Sequence, residues 1–474
     1  MNGNCFKDFI RKSPHTAIFY KDNIITYDEL YKNVNRYSNL LLKRLTHGDH
    51  IAIQLSDSPE YFYMFWGAIK AGIIPYLYST MLDDKDYEDL YKKYPVKLII
   101  TDDSISQFDT DAVDDSDHSP FETKETDLCF YMFSSGTTGY IKRIPHQHKD
   151  IAFTAINYAK KTINLNSYDV TFSAAKLFFA YGFGNSMTFP LYVGGSTILM
   201  SEPSTVKNTL DVIEKYNPTV YFGVPTLYAS QIRSLKANKR TLNSLRVCIS
   251  AGESLPGKLL IDWVELTDVP ILDGIGSTEA LHIFITNRHE SFLPNCSGRL
   301  VPGYSAKIMN SITKEDTPDD EVGDLYIKGG SLCEYEGEWM STGDMYVKKD
   351  SNFYYQGRIN DMLKIGGVWV SPAEIESKII EHEDVLEVGV ILGYTDDGLE
   401  KPKAYVVLND VSKDSVTTKV SIKRKCINEL PANHYPHWIE FVDALPKTAT
   451  GKLRRHILRV WQAFSPPDSN LDIH

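Results

Sequence analysis

Short apolar strands alternate with amphipathic helical stretches from Ile51 to a helix predicted to open at Pro256. IAIQL at 51, a helix from about Pro59, IIPYLY at 73 and KLII at 97 come first. STILM at 196, a helix from about 205, TVYFGV at 219, a helix after Pro225 and LRVCIS at 245 follow. Repeated βα units of this kind imply a mainly parallel sheet with helices on both faces, a class in which ligands bind at the carboxyl ends of strands. Ahead of them, Thr26-Tyr-Asp-Glu29 is a capping box, and Leu30, Val34, Tyr37 and Leu41 recur at helical spacing, predicting a helix over 27–45.

From about residue 300 the texture changes to short strands and turns, with an acidic loop from Lys314 to Glu321. After Gly357-Arg-Ile-Asn-Asp361 a compact segment reads strand, helix, strand, strand, helix. A domain boundary is therefore expected at about 358–361, and the final dozen residues, with Pro466-Pro467, read as a loose tail. A chain of 474 residues with 42% hydrophobic content agrees with two or three domains. Its formal charge of −12 argues against nucleic acid or an anionic membrane as the main partner. Six cysteines (5, 129, 248, 296, 333 and 426) lie scattered without a C-x-x-C pair, the pattern of reduced, buried thiols in a cytoplasmic protein. The N-terminus has no apolar signal core, and Lys70 and Pro75 interrupt the most apolar stretch, Phe65 to Tyr78, so no secretory signal and no membrane span are expected.

Within this frame five segments carry chemistry. A strand from Leu128 to Phe133 is predicted to run into Ser134, Ser135, Gly136, Thr137, Thr138 and Gly139, followed by Lys142. Glycines let backbone N–H groups approach a polyphosphate, hydroxyls donate to it and the lysine adds charge. The spacing is not that of a Walker A loop. DGIGSTE, Asp273 to Glu279, lacks the third glycine of a dinucleotide fingerprint; it reads equally as a magnesium and phosphate site through Thr278 and Glu279 or as a capped helix start. Ser341-Thr-Gly-Asp344 offers a carboxylate in a tight turn that suits a ribose diol, although Asp after Gly is also ordinary turn chemistry. RINDMLKIGG (358–367) and PKTATGK (446–452) read singly as a solvated linker and a charged surface loop.

Taken together and in this order, the segments resemble the acyl-adenylate-forming superfamily of acyl-CoA synthetases, adenylation enzymes and luciferases, over nearly the whole chain. AAKLFFAYGFGNSMTFPLYVGG (174–195), FGVPTLYA (222–229), SAGESLP (250–256) and ILDGIGSTEALHIFITN (271–287) are similar to the benzoate-type aryl-CoA ligases. Ile141-Lys142-Arg143 departs from the family's usual Pro-Lys-Gly, and Ile275 stands where many members carry an aromatic residue.

The resemblance implies an α/β fold: a large N-terminal domain (1–358) of βα units with mainly parallel sheets plus a distorted β-barrel part, a hinge at 359–361, and a small mobile α+β C-terminal domain (362–474). It implies an ATP-dependent ligase of a small aromatic carboxylic acid to CoA, with Mg²⁺ as cofactor, and leaves a homodimer open. Ser134 to Gly139 and Lys142 would hold the β,γ-phosphates, with Glu279 and Thr278 at Mg²⁺ and the α-phosphate. Gly252, Glu253, Asp273, Gly274, Ile275 and Ser277 would lie beside the nucleotide, and Asp344 and Arg358 at the ribose. Lys452 would bridge carboxylate and α-phosphate, Asp361 would be the hinge, and Gly366 and Gly367 would flank the thiol path. Phe179, Ala180, Tyr181, Gly276, His282 and Ile283 would line an acyl pocket between 177–182, 226–228 and 276–283. Two alternatives stay open at this stage: transfer to a carrier protein's phosphopantetheine in trans, and a non-catalytic nucleotide-binding scaffold.

Overall fold

The computed structural model describes residues 3–108, 114–135, 141–238, 240, 242–335, 337–365, 368–395, 397–432, 434–447 and 453–464. Its largest sheet has nine strands in the order Arg299–Leu300, Ile283–Thr286, Ile271–Gly276, Val247–Ser250, Val220–Gly223, Val170–Ser173, Ser196–Leu199, Thr16–Tyr20 and Asn23–Thr26. The run from Ile271–Gly276 to Thr16–Tyr20 is parallel throughout, and antiparallel pairs close both edges. Val220–Gly223 and Val247–Ser250 are buried at every position, as strands covered on both faces must be. A second sheet orders Leu98–Thr101, His50–Gln54, Ile74–Leu77, Leu128–Ser135 and Ile141–Gln147. It too is parallel except for its last pair, a hairpin.

The helices follow their sequence signals closely. Helix Tyr27–Leu42 opens on the expected capping box, with Glu29 N donating to Thr26 Oγ1 at 3.2 Å and Thr26 N to Glu29 Oε2 at 2.7 Å. It stops short of residue 45 because Arg44 N turns back to Leu41 O. Helix Pro59–Ala71 is buried almost all round, so its sequence is apolar on every side. Lys70, the charge inside that run, is buried too and donates to Asn35 Oδ1 at 2.5 Å and Asp117 Oδ1 at 2.7 Å. No helix among the described residues is long and apolar enough to cross a membrane. Two π-helical turns, Ala155–Lys160 and Gly184–Thr188, had no counterpart in the sequence pattern.

Past residue 300 an antiparallel sheet of four strands, Tyr304–Met309, Val322–Gly329, Met340–Lys349 and Asn352–Arg358, fills the stretch of short strands and turns. The C-terminal part is richer than its expected strand, helix, strand, strand, helix. A short hairpin, Leu363–Ile365 with Val368–Val370, precedes helix Pro372–Ile380. Strands Val385–Tyr394 and Glu400–Leu408 pair antiparallel, and a third strand, Trp438–Phe441, joins Glu400–Leu408 in parallel after helix Val416–Glu429. Helix Arg455–Phe464 completes it. This region has an apolar core of its own, which includes Leu363, Ile375, Val390, Val406 and Ile422.

Candidate active site

Strand Leu128–Ser135 and its return strand Ile141–Gln147 form the hairpin that presents the glycine-rich loop, with Ser134 paired to Lys142 and Ser135 to Ile141. Gly136, Thr137, Thr138 and Gly139 lie outside the described residues. Lys142 Nζ stands 3.2 Å from Glu334 Oε2. Burial opposes its charge, but the Glu334 hydrogen bond and carboxylate, with a further contribution from Glu279, outweigh that and raise the ammonium pKa. Arg143 has a structural task. Its guanidinium lies 4.2 Å from the Tyr131 ring centre and 4.4 Å from that of Tyr94, and Nη1 donates to Tyr76 Oη at 2.7 Å. An arginine stacked in this way fixes the return strand from below and spends its charge on aromatic faces.

On the nine-stranded sheet, Ser250 pairs with Asp273, so two parallel strands end side by side. Beyond Ser250, Gly252 has φ +95, a left-handed conformation in which a Cβ would be strained, and Glu253 beside it is half-buried. Asp273 is buried, burial pushes its carboxyl well above the usual carboxylate range, and Oδ1 has no hydrogen-bond partner among the described residues. Gly274 lies so close to Ile285 and Thr286 that a Cβ would meet Thr286 Oγ1 at 2.9 Å. Ile275 is half-buried.

After Gly276 the chain does not enter a helix. Ser277, Thr278 and Glu279 form a turn, held by Ala280 N on Ser277 Oγ at 3.2 Å and Leu281 N on Thr278 O at 3.0 Å, and Ile283–Thr286 returns antiparallel. The capped-helix alternative is thereby removed. What remains is a half-buried carboxylate and hydroxyl at a strand end, in the same electrostatic field as Lys142 of the other sheet. Hard oxygen donors of this kind fit Mg²⁺.

Asp344 and Arg358 are neighbours across strands Met340–Lys349 and Asn352–Arg358, with Arg358 Nε 3.0 Å from Asp344 Oδ1 and Nη1 donating to Thr342 O at 3.1 Å. Gly343, just before Asp344, has φ +74. Asp361 follows in a turn and holds helix Arg455–Phe464, through Arg459 Nη2 at 2.7 Å and Arg455 Nη1 at 3.6 Å. Arg455 also grips Glu376 with two short bonds, 2.6 and 2.7 Å. Glu376 is a partner that the sequence did not reveal, since 79 residues separate it from Arg455. Lys452, Gly366 and Gly367 lie outside the described residues.

The residues expected at the acyl pocket do cluster. His282 is buried, with ring centres of Phe189 at 4.5 Å, Tyr158 at 4.7 Å and Tyr181 at 5.6 Å, and its Nε2 is 3.0 Å from Asn185 Oδ1. Burial lowers its pKa to about 3, so the ring is neutral at physiological pH. Gly184, in a π-helical turn, makes room for it: a Cβ there would meet His282 Cδ2 at 2.6 Å. Tyr181 Oη donates towards Ile249 O (3.2 Å) and Gly223 O (3.3 Å), joining this cluster to two strand ends. Ala180 and Ile283 are buried, Phe179 is half-buried against Phe178, and Gly276 is exposed, tight against His282 O.

Beneath the 176–179 bend lies a pair that the sequence did not reveal. Asp57 accepts from Leu177 N at 2.9 Å, while Lys176 Nζ donates to Met200 O and Glu202 O. Burial raises the Asp57 carboxyl to about 6 against the opposing pull of the Lys176 charge. No sequence pattern links residues so far apart.

Comparison with known proteins gives this geometry a context. Residues 6–334 match the AMP-binding enzyme family and residues 374–452 the AMP-binding enzyme C-terminal domain. The chain is 37% identical to a benzoate–CoA ligase of Thauera aromatica, over 92% of this chain and 90% of that one. Two solved structures are similar. One is the anthranilate CoA ligase AuaEII in complex with anthranoyl-AMP (TM-score 0.90, 32% identity, 98% of this chain and 97% of that one). The other is a benzoate CoA ligase from Burkholderia xenovorans LB400 (TM-score 0.87, 33% identity, 97% and 100%).

Proposed function

The chain belongs to the AMP-binding enzyme family, and from that premise we propose how its own residues perform the chemistry of an ATP-dependent aryl-acid–CoA ligase, working through an acyl-AMP. The acid's carboxylate oxygen bonds to the α-phosphorus of ATP as the bond to pyrophosphate breaks. The CoA thiol then bonds to the acyl carbon as its bond to AMP breaks, leaving a thioester. The first step brings anion to anion. Like unit charges about 4 Å apart repel by roughly 4 kcal/mol at an effective dielectric near 20, so the site must supply cations.

Lys142, with Ser134 to Gly139, takes the β,γ-phosphates. Glu334 then acts as its counter-ion, and the 3.2 Å pair supports this by holding the ammonium charged and beside the strand end. Glu279 and Thr278 supply the oxygen donors for Mg²⁺, which when bound neutralises phosphate charge. Asp344 and Arg358 take the ribose hydroxyls; the 3.0 Å pairing of the half-exposed Arg358 with the buried Asp344 supports a fixed acceptor there. Asp273, Gly252, Glu253, Gly274, Ile275 and Ser277 surround adenine, where the free Asp273 Oδ1 is an available hydrogen-bonding atom. The neutral His282, Tyr181, Phe179, Ala180, Gly276 and Ile283 receive a flat aromatic ring.

Residues 1–358 form the large domain, 359–361 the hinge and 362–474 a lid that delivers Lys452 for adenylation. Rotation about Asp361 then withdraws Lys452 and brings Gly366 and Gly367 to the thiol path. The separate apolar core of the C-terminal part and the Asp361 tether to helix Arg455–Phe464 support this division. The reading includes a cytoplasmic location, where ATP and CoA are available as substrates. One observation carries the reading above all: Lys142, on the strand that follows the glycine-rich segment, stands 3.2 Å from Glu334 and keeps a reinforced ammonium charge, the cation a polyphosphate needs. ATP–pyrophosphate exchange across aromatic acids, followed by thioester formation with free CoA or a phosphopantetheinylated carrier, tests it. Exchange with benzoate-like acids and a thioester with free CoA are expected; exchange without a CoA thioester overturns the acceptor assignment.

A further inference from the structure

Away from the nucleotide, three ligating side chains that the proposed reaction does not use meet in the core. Cys5 Sγ is 3.9 Å from Cys129 Sγ and 3.2 Å from His148 Nδ1. The three donor atoms all lie within 4.8 Å of one another, and all three residues are buried. They come from different elements: Cys5 precedes helix Phe6–Phe9, Cys129 belongs to strand Leu128–Ser135, and His148 opens helix His148–Thr154.

The spacing is that of ligands around one small soft cation. Bonds of about 2.3 Å to sulfur and about 2.0–2.1 Å to nitrogen, at tetrahedral angles, set two sulfurs about 3.8 Å apart and sulfur and nitrogen about 3.5 Å apart. The observed 3.9 and 3.2 Å fall within about 0.3 Å of those separations. Asp150 stands two residues beyond His148 on the same helix. Asp150 is buried, and its Oδ1 has no hydrogen-bond partner among the described residues. Two sulfurs and an imidazole select against Mg²⁺, which takes oxygen, and for thiophilic ions.

We propose that Cys5, Cys129 and His148 bind a thiophilic d¹⁰ cation, Zn²⁺ or Cu⁺, which staples the N-terminal segment to the base of the hairpin that carries the glycine-rich loop. On binding, the two thiols release their protons to solvent, two metal–sulfur bonds and one metal–nitrogen bond form, and no electron is transferred. With Zn²⁺ the set is neutral, and one water completes a four-coordinate shell. The role is structural: Leu128, beside Cys129, pairs with Gln147, beside His148, so the ion would lock both strands of the hairpin at their root.

The test uses the full chain, reduced and stripped with a chelator, then exposed separately to Zn²⁺, to Co²⁺ as a spectroscopic surrogate and to a soluble Cu⁺ complex. After desalting, one equivalent of Zn²⁺ or Cu⁺ stays bound, the Co²⁺ form shows thiolate-to-metal charge-transfer absorption, and thermal stability rises. Cys129→Ser and His148→Asn each lower the affinity by more than the roughly 10–100-fold cost of removing a supporting partner of a ligand. Should a variant fold poorly, peptide mapping of alkylated wild type decides: added cation protects Cys5 and Cys129 and leaves Cys426 unprotected. No retained ion, retention undiminished in the folded variants, protection that spares Cys5 and Cys129, or a Cys5–Cys129 disulfide in place of the ion would overturn the proposal.

Discussion

The strand ends of the nine-stranded sheet present groups that burial has stripped of charge: Asp273 is driven towards the neutral acid and His282, with a pKa of about 3, towards the neutral imidazole. The strand end of the five-stranded sheet does the reverse, because Lys142 is half-exposed and its charge is reinforced by Glu334 and Glu279. The first environment suits flat, uncharged rings, whether adenine or an aryl acid. The second suits phosphate. A reaction that joins an aromatic acid to a nucleotide needs both, side by side but not mixed, since an ion buried against a ring would lose its hydration and an apolar wall would leave the phosphates unneutralised.

If charge on the phosphate side carries the rate, Lys452→Ala lowers adenylation by about 10³-fold, roughly 4 kcal/mol, while thioester formation from supplied acyl-AMP stays within a few-fold. Equal loss in both half-reactions would break the division of labour. Glu279→Gln lowers exchange by about 100-fold, roughly 3 kcal/mol, and excess Mg²⁺ recovers part of it; an effect confined to the KM of the acid would move Glu279 to the acyl side.

The support of the 176–179 bend titrates. Asp57 is held at about 6 by burial, above its unfolded value of 3.8. Its contribution is therefore complete below pH 4 and is lost as pH rises towards 6. Wild-type stability falls across that window by on the order of 2–3 kcal/mol relative to Asp57→Asn, measured by denaturant melts at both pH values. A flat difference would show Asp57 ionised throughout. The smallest effect belongs to the ring wall: His282→Asn changes kcat/KM for benzoate by less than about 10-fold, shifts preference among substituted rings and leaves the pH profile between 5 and 8 unchanged, because a ring with a pKa of about 3 carries no proton to lose there.

The segments proposed for the site are legible as short runs of consecutive residues. Gly252 and Gly343 before Asp344 take left-handed conformations that glycine admits, whereas after Gly276 the sequence left a capped helix open and the structure has a turn. Arg143 shows the limit. As a letter it was an unexplained departure, and only the convergence of Tyr76, Tyr94 and Tyr131 from three elements gives it a task. Glu334 as partner of Lys142, Glu376 as partner of Arg455 and Asp57 beneath Leu177 were invisible for the same reason.

By itself the sequence determined the alternation of strands and helices, the places where the backbone turns sharply, and the order of its chemical segments, since each depends on neighbours a few residues apart. Only the tertiary structure decided which charges survive. Whether Asp273 or His282 keeps a proton, and whether Lys142 keeps a counter-ion, depends on how much water and which side chains surround it, and those come from elements that only folding brings into contact.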